Sequence, residues 1–204
     1  MSGEHPAARF ESYDLKHTSI ADAYKLYMGA VIPRPIALVS SLNPDGKVNV
    51  APFSNFMVIS SFDGFLGFSV GNDDENSKFK DTLVNVQNNR EFVINLASVD
   101  MAAKVQHCSE PFPADISEAD EAELTPMPST LIATPRIAEC KVHFECRLHE
   151  ALHFGRTHLV VGKVVAAHAR ADMISNFKID PTLYSPLGRI GGRRYCGLGD
   201  FIDV

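Results

Sequence analysis

The sequence is poor in several residue types, and each shortage excludes a class of protein. It has no tryptophan and only four cysteines in 204 residues. Cys108, Cys140, Cys146 and Cys196 are too few and too irregularly spaced for a disulfide framework or a zinc knuckle. We therefore expect four free thiols.

Long apolar runs are also missing. No stretch approaches the roughly eighteen uninterrupted apolar residues of a transmembrane helix, and residues 1–10 lack the apolar core of a signal peptide. These two shortages predict a cytoplasmic protein with no membrane partner.

Positive charge is scarce and dispersed. The chain has 19 lysines and arginines against 25 acidic residues, and its formal net charge is -6. A nucleic-acid-binding surface needs a clustered basic footprint, and the sequence contains none. We expect no nucleic-acid partner.

The length and the 45% hydrophobic content fit one domain with a sizeable core. We divide the chain into a single domain over residues 1–204, in which residues 1–23 are an N-terminal lead-in. Residues 111–135 contain acidic residues and five of the twelve prolines. This composition favours a surface insertion within the domain.

Most of the remaining periodicity is that of strands. Apolar runs over residues 35–41 and 47–53 flank an Asn-Pro-Asp-Gly turn, and runs over 56–61 and 65–70 flank Asp63 and Gly64. A further strand is predicted at 91–96. Helical spacing is limited to residues 20–28, the segment from Phe79 to Val86, and an Ala-rich stretch over 99–107.

The two strands predicted after the insertion differ in pattern. Over residues 142–149 apolar side chains alternate with His143, Glu145, Arg147 and His149, which is typical of a strand with one solvent-exposed face. Residues 159–167 are apolar on both faces, and we expect them to be more deeply buried. Strands that arrive mostly as hairpins favour a mainly β fold, a closed or nearly closed antiparallel barrel.

Two features resemble functional motifs but fail on geometry. Five histidines lie between positions 143 and 168, yet six residues of extended strand span about 20 Å, too far for ligands of one metal ion. The glycines after residue 187 follow no predicted strand and precede no helix, so they are not a dinucleotide fingerprint. We expect no metal site, and we expect residues 184–200 to form an ordered loop.

The segment IPRPIALVSSLNPDGKVNVAPFSNF at residues 32–56 resembles the flavin reductase-like group of FMN-binding split-barrel proteins, which includes flavoredoxins. The same family resemblance continues in KDT at 80–82, EFVINL at 91–96, THLVVGKVV at 157–165 and LGRIGGRRY at 187–195. No single piece is specific, because PRP alone is a turn and FVINL alone is a core strand. Together they cover nearly the whole chain from about Tyr24.

The resemblance implies an FMN-binding split β-barrel, antiparallel and Greek-key-like, with a few peripheral helices. Ser54 and Asn55 would lie along the flavin ring or ribityl chain, with Phe56 as apolar support. Lys80 and Thr82 would hold the phosphate, with Arg34 and Ser40 close by. The other implied cofactor-binding residues are Asp81, Arg189 and Tyr195. His158 would lie at the hydride-transfer position as the catalytic residue.

Ordinary structural roles are alternatives for the same residues. Lys80, Asp81 and Thr82 also suit the first turn of a surface helix, and Ser54 and Asn55 suit a strand end. His158 is equally suited to the barrel wall.

The resemblance implies an NAD(P)H-dependent flavin reductase-like oxidoreductase, in which bound FMN takes electrons from NADH or NADPH and passes them to flavin or another acceptor. Alternatives are a non-enzymatic FMN electron carrier reduced by a protein partner, and a barrel that has lost flavin binding. The family also implies a homodimer, which the doubly apolar run at 159–167 would suit.

Overall fold

A computed structural model describes residues 9–72, 79–110, 112 and 117–204. Residues 1–8 of the lead-in, residues 73–78 of the loop expected after the fifth strand, and residues 111 and 113–116 of the insertion lie outside the described residues. The helices are α1 (Ile20–Ala30), α2 (Asp81–Asn89), α3 (Ala102–His107), α4 (Glu118–Glu121) and α5 (Pro181–Tyr184), with 3₁₀ turns at Val99–Met101 and Ala171–Met173. The strands are β1 (Arg34–Pro35), β2 (Ala37–Leu42), β3 (Val48–Phe53), β4 (Phe56–Ser60), β5 (Phe65–Gly71), β6 (Glu91–Leu96), β7 (Pro126–Met127), β8 (Arg136–Ile137), β9 (Val142–Phe154), β10 (Thr157–Ala169), β11 (Ile174–Ser175), β12 (Lys178–Ile179), β13 (Gly188–Gly191) and β14 (Arg194–Cys196).

The central element is a seven-stranded antiparallel sheet in the order β3-β2-β6-β9-β10-β5-β4. Its two edge strands, β3 and β4, are consecutive in the chain and are linked only by Ser54 and Asn55. The sheet therefore curls back on itself, and its edges meet at one joint instead of closing fully.

Two hydrophobic cores lie on opposite faces of this curled sheet. The inner core contains Val39, Phe68, Phe92 and Ile94. Gly162 of β10 is required there, because an added Cβ would lie 2.4 Å from the Phe92 ring. The second core, on the outer face, is formed by alternate residues of β2 and β3 and by α3, α4 and Ile137.

The outer core corrects the expectation of a simple surface insertion over residues 111–135. The described part supplies the buried side chains of Ala119, Ala122 and Leu124 to the outer core. Residues 125–137, which we call the strap, then cross β6 and β9. The described part of the insertion thus covers one face of the sheet.

The strap also explains why the predicted exposed face of β9 is wrong in its first half. His143 is 5% exposed and Glu145 is fully buried, because the strap covers them. Only beyond Cys146 do Arg147 and His149 face solvent.

The run at 159–167 is less buried than its composition predicts. Val160 and Val161 are buried, but Leu159, Val164 and Val165 are only half-buried. One face of β10 points into the inner core, and the other lies on the outside of the barrel in this single chain.

The C-terminal segment is a hairpin, where the sequence predicted a loop. β13 pairs with both β14 and β1, so that Arg189 is directly opposite Arg34. Gly192 lies at its turn with φ +53°, a backbone conformation that favours glycine. The predicted helix over residues 20–28 is confirmed as α1, and all four cysteines are free, as predicted.

Candidate functional site

A cleft of about 910 Å³ lies at the joint of the sheet, where β3 passes into β4. This volume is at the upper end of the range of about 300–1,000 Å³ that is usual for small-molecule sites. The joint, the ends of β5 and β10, helix α1 and the C-terminal hairpin form its walls. The lining residues are Ile20, Ala21, Tyr24, Met28, Arg34, Pro52, Phe53, Ser54, Asn55, Ser69, Gly71, Asn72, Lys80, Ser109, Arg156, Thr157, Arg189, Gly191 and Gly192.

The charge of the cleft is opposite to that of the chain. Arg34, Lys80, Arg156 and Arg189 line it, and no described lining residue is acidic, although the formal net charge is -6. Clustered cations attract anions. The cleft is therefore suited to a ligand with one or more phosphate or carboxylate groups.

Arg34 is the structural member of this group. It is 6% exposed, and its Nη1 donates to the carbonyl oxygens of Met28 at 2.8 Å and Val31 at 2.9 Å, at the end of α1. Its Nε donates to Ser54 Oγ at 3.3 Å. Arg34 therefore ties α1 to the joint, and most of its donors are already used.

The joint itself presents short polar groups beside apolar side chains. Ser54 and Asn55 follow Pro52 and Phe53, and the Asn55 carbonyl accepts a hydrogen bond from the Ser69 N–H at 2.9 Å. This bond extends the pairing of β4 with β5 as far as the joint. A flat apolar ligand with polar edges suits such a wall.

Lys80 lies where the cleft meets the N-terminus of α2. It is the N-cap residue of that helix, and its side chain makes no capping hydrogen bond. The unpaired N–H groups of a first helical turn favour an anion, and an ammonium group adds charge.

Near this end, Asn72 Oδ1 is buried without a hydrogen-bond partner among the described residues. A buried acceptor of this kind is expected to have a donor, so it indicates a ligand hydroxyl or amide.

Arg189 is the cation at the hairpin wall. Its Nη1 donates to the Tyr195 hydroxyl at 2.7 Å, and its guanidinium lies 4.8 Å from the centre of the Tyr195 ring. Tyr195 itself packs against the outer core and is not among the lining residues. Burial raises the pKa of its phenol. Tyr195 therefore acts on the cleft through Arg189, which corrects its prediction as a direct contact.

The predicted roles of Ser40 and Thr82 do not agree with their positions. Ser40 is fully buried under the strap, where its Oγ donates to the Pro135 carbonyl at 2.6 Å. Thr82 is 2% exposed, and its Oγ1 accepts from Asn49 Nδ2 at 3.0 Å. Both hydroxyls belong to buried polar networks, so neither can reach a phosphate in the cleft.

Asp81 and Phe56 also lie away from the cleft. Asp81 lines a separate cavity of about 220 Å³ together with Asp45 and Glu118. Phe56 is the cross-strand partner of Phe68 and packs against the inner core. The structure therefore keeps Arg34, Ser54, Asn55, Lys80 and Arg189 of the predicted set at the cleft.

His158 faces the wrong side of the sheet for the predicted catalytic role. It is the cross-strand partner of Val70, which is fully buried in the inner core, whereas its neighbour Thr157 lines the cleft. Side chains alternate along a strand. His158 and Thr157 therefore point to opposite faces.

His158 instead contacts aromatic neighbours. Its ring is stacked on His153 with centroids 4.6 Å apart, and it makes an edge contact with Phe79 at 5.2 Å. Burial, together with the nearby His153, lowers its pKa. Because Phe79 immediately precedes Lys80, His158 is placed to hold the segment that carries Lys80.

Sequence reasoning missed Ser69, Asn72, Arg156 and Thr157, which line the cleft from the ends of β5 and β10. The pairing of Thr157 with Gly71 brings them together. The THLVVGKVV segment contains Thr157, but only the register shows that Thr157, and not His158, faces the cleft.

The residues present fit FMN. The cleft offers cations and helix N–H groups for a phosphate, an unpaired buried oxygen for a ribityl hydroxyl, and an apolar wall with polar edges for the ring.

None of the described helices is long and apolar enough to cross a membrane.

Comparison with known proteins agrees with this geometry. The protein-family model of the flavin reductase like domain matches residues 28–194 of this chain. Among solved structures, nitrilotriacetate monooxygenase component B from Bacillus cereus has a TM-score of 0.92 at 28% identity, covering 97% of this chain and 100% of that one. The 2-nitrobenzoate 2-nitroreductase NbaA from Pseudomonas fluorescens has a TM-score of 0.86 at 31% identity, covering 95% of both chains.

A third solved structure bears on the fold alone. The putative flavin reductase with a split barrel domain from Shewanella frigidimarina NCIMB 400 has a TM-score of 0.83 at 15% identity, covering 96% of this chain and 98% of that one. The predicted mainly β split barrel is thus confirmed. The chain belongs to the flavin reductase-like family.

Proposed function

We propose that the chain binds FMN in the cleft at the joint and acts as an NAD(P)H-dependent oxidoreductase. The observation that carries the proposal is the cationic lining of that cleft in an acidic chain, with Lys80 at a helix N-terminus. Lys80 and the first-turn N–H groups of α2 would hold the phosphate. Ser54, Asn55 and Phe53 would orient the ring.

The chemistry that FMN supplies when bound is acceptance of a hydride from NADH or NADPH and release of the electrons to free flavin or another acceptor. The chain's own task is to bind, orient and shield the reactants. No side-chain nucleophile is required, which fits a cleft whose lining has no cysteine or histidine among the described residues.

An absorption spectrum and an FMN titration test the binding. We expect the purified protein to be yellow, or to quench FMN fluorescence at micromolar concentration, and to bind riboflavin more weakly because riboflavin has no phosphate. Protein that binds no flavin under these conditions would refute the proposal.

A non-enzymatic electron carrier is the second candidate, because the same cleft could hold FMN that is reduced by a protein partner. Stopped-flow mixing with NADH and with NADPH separates the two functions. Bleaching of the flavin band by either donor supports the oxidoreductase. Bound FMN that neither donor reduces indicates the carrier.

We also propose that the protein is a homodimer. Helix α1 buries none of its residues in the single chain, although Ile20, Tyr24 and Tyr27 are 71%, 63% and 49% exposed. The edge strand β4 exposes Met57 and Val58 in the same way. Apolar surface of this extent on two elements beside the joint is typical of an interface.

Sedimentation equilibrium at micromolar protein tests the assembly. We expect a mass twice the 22.4 kDa of one chain. A mass of one chain would contradict the dimer. It would not affect the FMN proposal, which the flavin titration tests separately.

A further inference from the structure

The hairpin wall of the cleft places two like charges side by side. Arg34 and Arg189 are directly opposite one another on paired strands, and both line the cleft. Like charges in this position destabilise a sheet unless something compensates them. Arg34 is compensated by the carbonyls at the end of α1, whereas Arg189 has no carboxylate partner among the described residues.

Arg189 is nevertheless fixed in position by a chain of three further side chains. The Tyr195 hydroxyl accepts from Arg189 at 2.7 Å and donates to Gln106 Oε1 at 2.9 Å. Gln106 Nε2 then donates to Ser109 Oγ at 2.9 Å, and Ser109 lines the cleft again. An unpaired cation held in one orientation is a preorganised anion-binding group.

The backbone next to Arg189 leaves room for a ligand. Cβ atoms added at Gly191 or Gly192 would meet no heavy atom within 4 Å. Both glycines line the cleft. A ligand group can therefore approach both the guanidinium and the main chain of the hairpin.

This position is separate from the one where Lys80 lies. Arg189 pairs with Arg34, and Arg34 donates to Ser54 at the joint. From the joint the wall follows β5, past Ser69, to the end where Gly71 pairs with Thr157. Lys80 follows at that far end, next to Phe79 and its contact with His158. The cleft thus has a cation at each end.

We propose that Arg189 binds the oxyanion group of the second substrate, the molecule that exchanges electrons with the flavin, while Lys80 holds the FMN phosphate. The expected group is a phosphate of the nicotinamide donor; a carboxylate of an aromatic acceptor has the same chemistry. Tyr195 and Gln106 are positioning residues for Arg189. The inference rests on the proposed FMN binding and deepens it.

Equilibrium binding to the FMN-loaded protein tests the proposal without turnover. NADP⁺ is titrated calorimetrically into the wild type, Arg189→Gln and Arg193→Gln. Arg193 is on the same hairpin but pairs with Glu110 at the surface, so it is a matched control. We expect Arg189→Gln to weaken NADP⁺ binding about ten- to a hundredfold, with FMN affinity within about twofold of wild type and Arg193→Gln without effect.

Two further ligands identify the source of the oxyanion. Nicotinamide mononucleotide has a phosphate, and benzoate has only a carboxylate. Loss of mononucleotide and NADP⁺ binding in Arg189→Gln assigns the subsite to the donor. Loss of benzoate binding with NADP⁺ unaffected assigns it to an aromatic acceptor.

The positioning roles have their own readout. Tyr195→Phe retains the ring that packs on the outer core and removes only the hydroxyl, so we expect it to weaken NADP⁺ binding about three- to tenfold with unchanged thermal stability. Added to Arg189→Gln, it should have no further effect, because it acts through that residue. Additive losses would refute its positioning role.

Two results would overturn the assignment of Arg189. In one, Arg189→Gln weakens FMN but not riboflavin, which would make Arg189 the phosphate ligand. In the other, it changes none of the affinities. If the protein takes up no FMN, the proposed function fails; the NADP⁺ titration of the flavin-free protein still reports whether Arg189 binds a phosphate.

Discussion

The cleft and the strap interface both concentrate polar side chains, but they use them in opposite ways. We define the strap interface as five polar residues beneath residues 125–137, namely the buried Ser40, Asn95, His143 and Glu145 and the half-buried Glu91. Glu145 accepts from the N–H groups of Thr130 and Leu131 at 2.7 Å each and from His168 at 2.7 Å. In the cleft, by contrast, Asn72 Oδ1 has no partner among the described residues and Lys80 makes no capping bond.

The strap interface leaves little hydrogen-bonding capacity for a ligand. Asn95 Oδ1 accepts from the Ile137 N–H and contacts His143 Nδ1, and Asn95 Nδ2 donates to Ser40 Oγ. Glu91 accepts from the N–H groups of Ala133 and Thr134. The difference is that the polar residues of the strap interface are satisfied by one another and by the strap backbone and so serve the fold, whereas Asn72 Oδ1 at the cleft is left for a ligand.

Removing the charge of Glu145 should produce the largest effect on stability. Glu145→Gln places an amide nitrogen against a backbone N–H or His168, and a buried donor then loses its acceptor. We expect the free energy of unfolding to fall by about 3 kcal/mol, measured by urea denaturation. Glu150→Gln, an exposed position on the same strand, is the control and should change stability by less than about 0.5 kcal/mol. A loss of FMN affinity in folded Glu145→Gln would contradict the separation between a strap interface that serves the fold and a cleft that serves the ligand.

Acid should weaken the strap interface through His143. Burial lowers the pKa of His143 to about 4, with Arg136 and His168 adding to the effect. The unfolded chain therefore binds a proton that the folded chain does not between about pH 6.5 and 4. Stability should decrease as the pH falls through this window, by about 2–3 kcal/mol in total.

Glu145 extends this dependence to lower pH. Burial opposes its ionisation, but the N–H groups of Thr130 and Leu131 and the His168 ring hold its pKa below the usual value. Its contribution is present above the unfolded pKa and is lost as the pH falls through the folded one. Urea denaturation at several pH values measures how His143 and Glu145 contribute to the free energy of unfolding. In His143→Gln, the decrease between pH 6.5 and 4 should become shallower; an identical slope would contradict the role of His143.

Lys80→Ala should affect the cleft and leave the fold intact. We expect FMN binding to weaken about ten- to a hundredfold, because a charge-assisted contact contributes about 1.5–3 kcal/mol. Riboflavin affinity should hardly change, and equal weakening of both flavins would place the phosphate elsewhere. Thr82→Val provides the contrast: it removes the acceptor of Asn49, so it should cost about 1 kcal/mol of stability with no change in FMN affinity.

His158 should produce the smallest effect. In His158→Ala the edge contact with Phe79 is lost, which loosens the segment before Lys80. We expect FMN affinity to fall about two- to fivefold, in line with about 0.5–1 kcal/mol for an aromatic pair, and His158→Phe to restore it. Once FMN is saturating, the rate of flavin reduction should match wild type. A large decrease in that rate would return His158 to a catalytic role.

The amino-acid sequence by itself determined the elements whose signals are local. Helix α1 and the hairpins around Asn43–Gly46 and Asp63–Gly64 follow from spacing and turn residues within a few positions of each other. The charge of Lys80 at the start of a helix and the polar pair Ser54–Asn55 at a strand end are also local, and these predicted residues lie at the cleft.

Only the tertiary structure decided which polar residues face a ligand. His143 and Glu145 alternate with apolar neighbours as exposed residues would, but the strap covers them through contacts 14 and 15 residues earlier in the chain, which the local alternation does not show. The side to which His158 points depends on the register of β10 against β5, and one position along the strand reverses it. Ser69, Asn72 and Arg156 come together at the cleft because β5 pairs with β10, and no local pattern contains that long-range pairing.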